Sequence, residues 1–521
     1  MVGEVITQKV VLIGIDGASW NIINLLMSRG KLPNFSFLVK NGTSGTLESI
    51  DPSFTPIVWT SIATGKRPEV HGIRHIFQTR YDIKTLTIWD IIEDYQKTIG
   101  IFNWHVTSPA RQVNGFMFPG GFALKSEETF PCELSFLLRI RKMIESQGIG
   151  GSFWARNLTT ALKAMKNGLT VDSLCQIANH VIKYMGINDR GVSEASRSLL
   201  AQYVFADIYL KLYKRFNPFF SAFYLGAIDV AAHTTWKYYD PERFKEPISN
   251  KSRKFGQLIP ASYMSMDKCI GRILNAIDKK TAVIVVSDHG TKPATNGEAT
   301  FDIDGDSLFE KLGIRQKVDF FSLDHKTYFS IREKYLGEKE DIIEQLSHIT
   351  IGENGQKLFK ISESDVHNIY SIRCEPFDLG RGKSQEKFAM VKKRFVRLHE
   401  IVNINNFRVS GIHDRYGIFI AYGPNIKQGN GIDEIGILDI VPTILYYVGL
   451  PLATDMEGQV KYSMFGNRLK ENNQAKYIDT YDTDERLNKY LLHPSRNMKE
   501  IICEHGDREE VKKRLRALGY L

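Results

Sequence analysis

Apolar residues in this chain gather into short unbroken runs, and several of those runs stop at an acidic residue or a histidine. Lys9–Ile15 is the first, a stretch of Val, Leu and Ile without polar alternation. Such a run is the pattern of a strand buried on both faces, as in a parallel sheet. Thr98–Asn103, Pro218–Ile228, Ala282–Ser287 and Tyr416–Tyr422 also read as strands. Between them lie helical patterns: Trp20–Arg29, a helix opened by Leu32-Pro33-Asn34, then Tyr263–Ile277 and Leu438–Val448. Strand alternating with helix predicts an α/β fold, with a mostly parallel sheet covered on both faces.

The rhythm breaks twice. Residues 130–216 are rich in helix formers and basic side chains, including Arg139-Ile140-Arg141-Lys142, Arg156, Lys163 and Lys166. Residues 294–405 are mixed and polar, with short apolar runs. Both read as insertions that could cap a site, dividing a core made of 1–129, 217–293 and 406–465. Residues 466–521 form a charged extension, and Asp507–Leu515 predicts a surface-lying terminal helix.

Composition changes this picture little. The 521 residues suffice for a large core, and 43% hydrophobic with 24% charged residues is ordinary for a globular protein. Lys and Arg total 68 against 59 Asp and Glu, a net charge of +9. A diffuse excess of this size suits a solvated surface or an anionic substrate, so no specific nucleic-acid binding is expected. The five cysteines are scattered, with no CxxC, which argues against a disulfide framework and a thiolate zinc site. No basic segment precedes a long apolar stretch at the start of the sequence, so no signal peptide is expected. The most apolar segment, Ile435–Ala453, contains Asp439 and Pro442 and reads as a buried helix rather than a membrane span. The expectation is a soluble, cytoplasmic protein.

The chemistry sits where the runs end. Asp16 follows the first, in Gly14-Ile15-Asp16-Gly17, and fits either a turn carboxylate or a ligand at the carboxyl edge of a sheet. Asp288-His289-Gly290 closes the run Ala282–Ser287; a buried carboxylate and imidazole there are costly unless something binds them. Asp229 and His233 fall four apart after the third run, on one face if the chain turns helical, as a structural hydrogen bond or as two ligands. His413 comes just before Tyr416–Tyr422. Thr55-Pro56 reads as a helix N-cap followed by proline at the first helical position, with Gly65 closing the helix. A hydroxyl there caps the helix, and it becomes a nucleophile once a base or metal lowers its pKa. His71 in Val70-His71-Gly72-Ile73 reads as a buttress for the loop after that helix. Together the candidates are Asp16, Thr55, Asp229, His233, Asp288, His289 and His413. Nitrogen and carboxylate donors without thiolates suit Zn²⁺, with Mn²⁺ or Fe²⁺ as alternatives. Seven donors are too many for one tetrahedral zinc and match two ions sharing a site, the usual device for displacement at phosphorus.

In this order, Asp16, Thr55 ahead of Ser61–Gly65, His71-Gly72-Ile73, Asp229-x3-His233, Asp288-His289-Gly290 and His413 resemble the type I phosphodiesterase/nucleotide pyrophosphatase branch of the alkaline phosphatase superfamily. Thr55-Pro56-x-x-Trp59-Thr60-Ser61, Asn114-Gly115, Ala232-His233-x-x-Trp236 and Asp439–Thr443 are similar to its predicted phosphohydrolase/phosphomutase group. The resemblance implies an alkaline-phosphatase-like three-layer sandwich with inserted caps and a small phosphorylated substrate. It implies one ion on Asp229, His233 and His413, and a second on Asp16, Asp288 and His289 with Thr55 bridging. It further implies attack by Thr55 on phosphorus and a phospho-threonine intermediate. One position departs: nucleotide pyrophosphatases carry an asparagine donor three residues after the nucleophile, and Val58 stands there. A cap-region Lys or Arg would have to supply that donor. The alternatives are a phosphomutase or phosphotransferase of the same superfamily and, third, a non-catalytic anion-binding protein.

Overall fold

The computed structural model describes residues 8–491 except 76–77, 122–127, 139–140, 142–164, 167, 185–188, 245–247, 251, 296–300, 352–354, 378–387, 393 and 405–408. The basic residues Arg139, Lys142, Arg156 and Lys163 and the expected helix Asp507–Leu515 lie outside the described residues.

The unbroken apolar runs form the centre of the molecule. Its strands, in chain order, are β1 (Lys9–Ile15), β2 (Thr43–Glu48), β3 (Ile99–Phe102), β4 (Gly115–Phe118), β5 (Phe220–Leu225) and β6 (Thr281–Val286). A short β7 (Gly290–Pro293) follows at once. Among the strands of the inserted unit, four matter below: β8 (Val318–Leu323), β9 (Lys326–Ile331), β10 (Phe359–Glu363) and β11 (Ile369–Cys374). After that unit come β12 (Gly411–Asp414), β13 (Tyr416–Tyr422) and β14 (Asn430–Gly436). Eight of them build one sheet in the order β14-β2-β13-β6-β1-β5-β3-β4. All its pairings are parallel except the two made by β13, which runs against both β6 and β2.

Eight helices matter below: α1 (Trp20–Ser28), α2 (Pro33–Asn41), α3 (Thr55–Thr64), α4 (Ile88–Asp94), α5 (Arg190–Phe216), α6 (Ala227–Tyr239), α7 (Leu258–Ala276) and α8 (Ile440–Tyr447). Strand alternation assigns them to two faces. On β5, Ser221 meets the Tyr209 hydroxyl of α5 at 2.7 Å, and Phe223 stacks on the Tyr209 ring at 4.2 Å. Tyr224 points the other way, edge-on to Trp59 of α3 at 5.1 Å. Strands β1, β5 and β6 are accordingly buried along nearly their whole length. The result is a three-layer α/β sandwich.

Two expectations shift in detail. The apolar run Pro218–Ile228 is not one strand: β5 stops at Leu225, Gly226 caps, and Ala227 opens α6. The apolar pattern runs straight across that junction, which hid it. The sheet also carries one reversed strand, β13, whose direction no apolar pattern encodes.

A second hydrophobic core, separate from that of the sandwich, gathers residues from Phe301 to Val402, among them Leu308, Phe309, Phe329, Ile342 and Leu358. One of its two four-stranded antiparallel sheets has the order β10-β11-β9-β8. Strands β8 and β9 form a hairpin in which Leu323 pairs with Lys326, leaving a two-residue turn. Asp324 (φ 54°) and His325 (φ 60°) are both left-handed, as a type I′ turn requires.

Candidate metal centre

The register of the sheet brings the candidate residues to one edge. Gly14 on β1 is level with Tyr224 on β5 and with Val286 on β6, so the chain leaves all three strands side by side. Asp16 leaves β1, Asp288 and His289 leave β6, and Asp229 lies in the first turn of α6 just after β5. His413 joins them because β13 is reversed: the residues preceding an antiparallel strand lie at the carboxyl edge of its parallel neighbours. Short β12, which holds His413, pairs with β7 immediately after His289, with His413 opposite Thr291. Hydrogen bonds pin these exits together. Ala18 N–H donates to Ser287 Oγ (2.8 Å), Ser287 Oγ donates to the His289 carbonyl (2.7 Å), and Thr291 N–H donates to Ser19 Oγ (2.6 Å).

Two buried groups result, each with ligand atoms within 4.8 Å of one another: Asp229, His233 and His413, and Asp16, Asp288 and His289. Their imidazoles are oriented alike. His233 Nδ1 lies 2.8 Å from the Gly411 carbonyl and His289 Nδ1 lies 2.9 Å from the Gly290 carbonyl. A carbonyl only accepts, so both Nδ1 atoms carry the proton and both Nε2 atoms turn inward. His233 Nε2 is 3.2 Å from Asp229 Oδ1, and His413 Nε2 is 3.7 Å from the same oxygen. His289 Nε2 is 3.2 Å from Asp16 Oδ1 and 3.3 Å from Asp288 Oδ2. The rings of His289 and His413 stack with centroids 3.6 Å apart, so the two groups abut.

The donor set fits a cation. Asp16 Oδ1, Asp288 Oδ2 and His289 Nε2 are buried and close, yet no hydrogen bond joins them. Buried polar atoms normally find a partner, and converging ones that do not are what a shared cation requires. The electrostatics agree. Burial, then the Asp16 charge, drives the Asp288 carboxyl well above its ordinary range. Burial opposes protonation of His289, but the Asp288 and Asp16 carboxylates outweigh it and hold its pKa well above the usual value. His413 moves the opposite way, pushed well down by burial and by the charges of His289 and His233. Carboxylates and imidazoles so confined cannot all take their usual charges, and divalent cations would relieve them.

Thr55 opens α3, and its neighbours tie it to this centre. Phe54, rather than Thr55, takes the cap position, and its carbonyl accepts from Ile57 N–H (2.9 Å) and Val58 N–H (3.1 Å). Thr55 is therefore the first helical residue, and Pro56 the second. Ser53 Oγ, two residues earlier, lies 3.2 Å from His413 Nδ1. One turn into α3, Trp59 covers Gly14, where any Cβ would sit 2.6 Å from the Trp59 ring. Gly65 (φ 67°) closes the helix through its N–H to the Ser61 carbonyl. His71 accepts from Ile73 N–H at Nδ1 (3.1 Å) and so donates from Nε2 to Ser61 Oγ (3.0 Å). Burial lowers its pKa to about 3, which keeps it neutral as a buttress. Val58 is fully buried in the core and offers no donor.

Two contributors were not apparent from the sequence. Tyr224, inside β5, donates its hydroxyl to Asp16 Oδ2 at 2.5 Å, and it looked like one more apolar strand position. Asp324, on the hairpin tip, accepts the His413 backbone N–H at Oδ1 (3.0 Å). The one signal for it was a polar pair between two apolar runs, Asp324-His325.

Residues 10–377, well over half of the chain, match the family described as type I phosphodiesterase / nucleotide pyrophosphatase. The chain belongs to that family. It is accordingly a phosphoric ester hydrolase, and the family is metal-dependent and acts on small phosphorylated substrates. No curated protein matches the sequence. Among solved structures, murine ectonucleotide pyrophosphatase/phosphodiesterase 5 is 13% identical, with 88% of this chain and 100% of that one covered and a TM-score of 0.46. The human protein of the same name is 14% identical, with 88% and 98% covered and a TM-score of 0.47. An inactive form of the murine protein, solved in complex with AMP, is 13% identical, with 88% and 98% covered and a TM-score of 0.45.

Proposed function

We propose that this family member is a two-metal phosphodiesterase in which Thr55 is the nucleophile. The observation that carries the reading is the pair of abutting buried groups, Asp229–His233–His413 and Asp16–Asp288–His289, beside the helix that Thr55 opens. Each group offers three donors, which is the protein share of a catalytic zinc site with an open position. Two bound divalent ions, Zn²⁺ first and Mn²⁺ or Fe²⁺ next, would lower the pKa of the Thr55 hydroxyl and offset charge on the phosphoryl oxygens.

The chain's own residues do the rest. Thr55 Oγ1 forms a bond to phosphorus as the ester oxygen leaves with its electron pair and takes up a proton. Water then adds to phosphorus, the bond to Thr55 Oγ1 breaks, and the threonine recovers its proton. The amino end of α3 favours the negative charge that builds during both steps. Tyr224 holds Asp16, and the carbonyls of Gly411 and Gly290 hold His233 and His289 with Nε2 inward.

The inserted segments 130–216 and 294–405 would cap the site and set substrate choice. No helix among the described residues is long and apolar enough to cross a membrane. The four described cysteines are free, which suits the cytoplasm.

The test is turnover of bis-p-nitrophenyl phosphate beside p-nitrophenyl phosphate with Zn²⁺ or Mn²⁺ supplied. Diester should be the better substrate, and Thr55→Ala should lose about a thousandfold or more. Undiminished turnover in Thr55→Ala would remove the nucleophile from this account. Exchange of phosphate between sugars, with every ester inert, would replace it with a mutase.

A further inference from the structure

The β8–β9 hairpin belongs to the inserted unit, yet its tip reaches the metal centre. Asp324 Oδ1 accepts the His413 backbone N–H at 3.0 Å, and its Oδ2 lies 3.6 Å from His413 Nδ1. The Asp324 side chain is only 13% exposed. The rest of the hairpin grips the loop that leads into α3. Phe321 stacks on Phe54 with centroids 4.6 Å apart, and the Tyr328 hydroxyl donates to Asp51 Oδ1 at 2.8 Å. Nearby, Asp365 accepts the Asp51 N–H through Oδ2 and returns its own N–H to the Asp51 carbonyl, both at 2.9 Å. One inserted unit thus touches both the loop that carries Thr55 and the outer edge of the His413 ring.

We propose that Asp324 is the positioning residue for His413, so that the Asp229–His233–His413 group depends on the inserted unit for its hold on a metal ion. The inference rests on the metal-centre reading above. His413 Nε2 faces Asp229 and His233, while Nδ1 faces outward to Ser53 and Asp324. At 3.6 Å Asp324 does not hydrogen-bond Nδ1; it holds the His413 backbone through its N–H and places a carboxylate charge behind the imidazole, which makes the ligand more basic. Ser53 Oγ can orient the ring, but it brings no charge. Nδ1 of His233 faces the Gly411 carbonyl and Nδ1 of His289 faces the Gly290 carbonyl, whereas Nδ1 of His413 faces the Asp324 carboxylate 3.6 Å away. The left-handed backbone at Asp324 accepts asparagine readily, so Asp324→Asn keeps the turn and the Oδ1 acceptor while removing the charge.

The full-length protein, stripped with chelator, is titrated with Zn²⁺ against a chromophoric chelator, as wild type, Asp324→Asn and Phe321→Ala. Wild type should take two equivalents. Asp324→Asn should take one with unchanged affinity and the other about tenfold or more weaker, with an unchanged unfolding temperature before metal is added. Phe321→Ala, which loosens the hairpin but keeps the carboxylate, should retain both. Two equivalents of wild-type affinity in Asp324→Asn overturn the inference and leave the metal centre standing. Equal weakening in Phe321→Ala assigns the effect to hairpin packing rather than to the Asp324 carboxylate and overturns Asp324 as the positioning residue. A wild type that takes no Zn²⁺ overturns the metal centre itself, and this inference with it.

Discussion

His233 and His413 face each other Nε2 to Nε2 at 3.0 Å. His233 turns its protonated Nδ1 to a carbonyl, and the Nδ1 of His413 faces Ser53 and Asp324. Two lone pairs would meet at that distance unless a proton or a cation lies between them. The His233 pKa is raised: burial opposes it, and the Asp229 carboxylate outweighs burial. His413 is pushed well down by burial and its charged neighbours, so of the two rings His233 holds a proton at this contact more readily. A metal ion taking these atoms must displace it. Zn²⁺ uptake in weakly buffered solution at neutral pH should therefore release protons, and affinity should fall as pH falls. Uptake with no proton release would refute this arrangement of tautomers.

Asp288→Ala should remove one of two bound ions and nearly all turnover. The fold should survive, because the substitution deletes a buried carboxyl that is already hard to ionise. Metal content per chain and thermal unfolding of the stripped protein check both halves of the statement.

Gly17 stands at φ 70°, and a Cβ there would lie 2.9 Å from Thr291 Cγ2 and 3.0 Å from the Asp229 Cα. Gly17→Ala should cost about 1–2 kcal/mol from backbone strain. It should also weaken metal binding, since the clash presses on Asp229. Urea unfolding measures the first effect and a Zn²⁺ titration the second; wild-type values in both would contradict the fit.

His71 supplies a pH signature away from the metals. Its pKa is lowered from 6.5 to about 3 by burial. The unfolded chain takes up its proton below pH 6.5 while the folded chain does not, so this contribution is complete above 6.5. It is lost progressively as pH falls toward 3, at about 1.4 kcal/mol per pH unit. His71→Gln should flatten the fall of stability between pH 6 and pH 4, measured by urea unfolding of the stripped protein. Identical slopes in both proteins would mean that His71 is not held neutral.

The parts of the site that were legible in the sequence share one property: an apolar run stops at a residue too polar to be buried for packing alone. Asp16, Asp288 and His289 stand out in this way, and Thr55-Pro56 marks a helix start. Asp229 and His233 needed a helix directly after a strand, and Gly226 provides the break. Other features depend on chain paths that local pattern does not encode. Tyr416–Tyr422 announces a strand without its direction, yet only the reversed direction brings His413 to the edge with the rest. Tyr224 hides among apolar strand neighbours. Asp324 lies 89 residues from His413 in sequence, on a hairpin that joins the sandwich core through Leu323 and Tyr328 and the second core through Val318 and Phe329.

Under the proposed function, two metal ions on these two groups drive diester hydrolysis. The most direct measurement is bis-p-nitrophenyl phosphate turnover as chelator-stripped protein receives Zn²⁺ stepwise. Turnover should start near zero and reach its maximum at two equivalents per chain. Full turnover in excess chelator, or a maximum already complete at one equivalent, would contradict it.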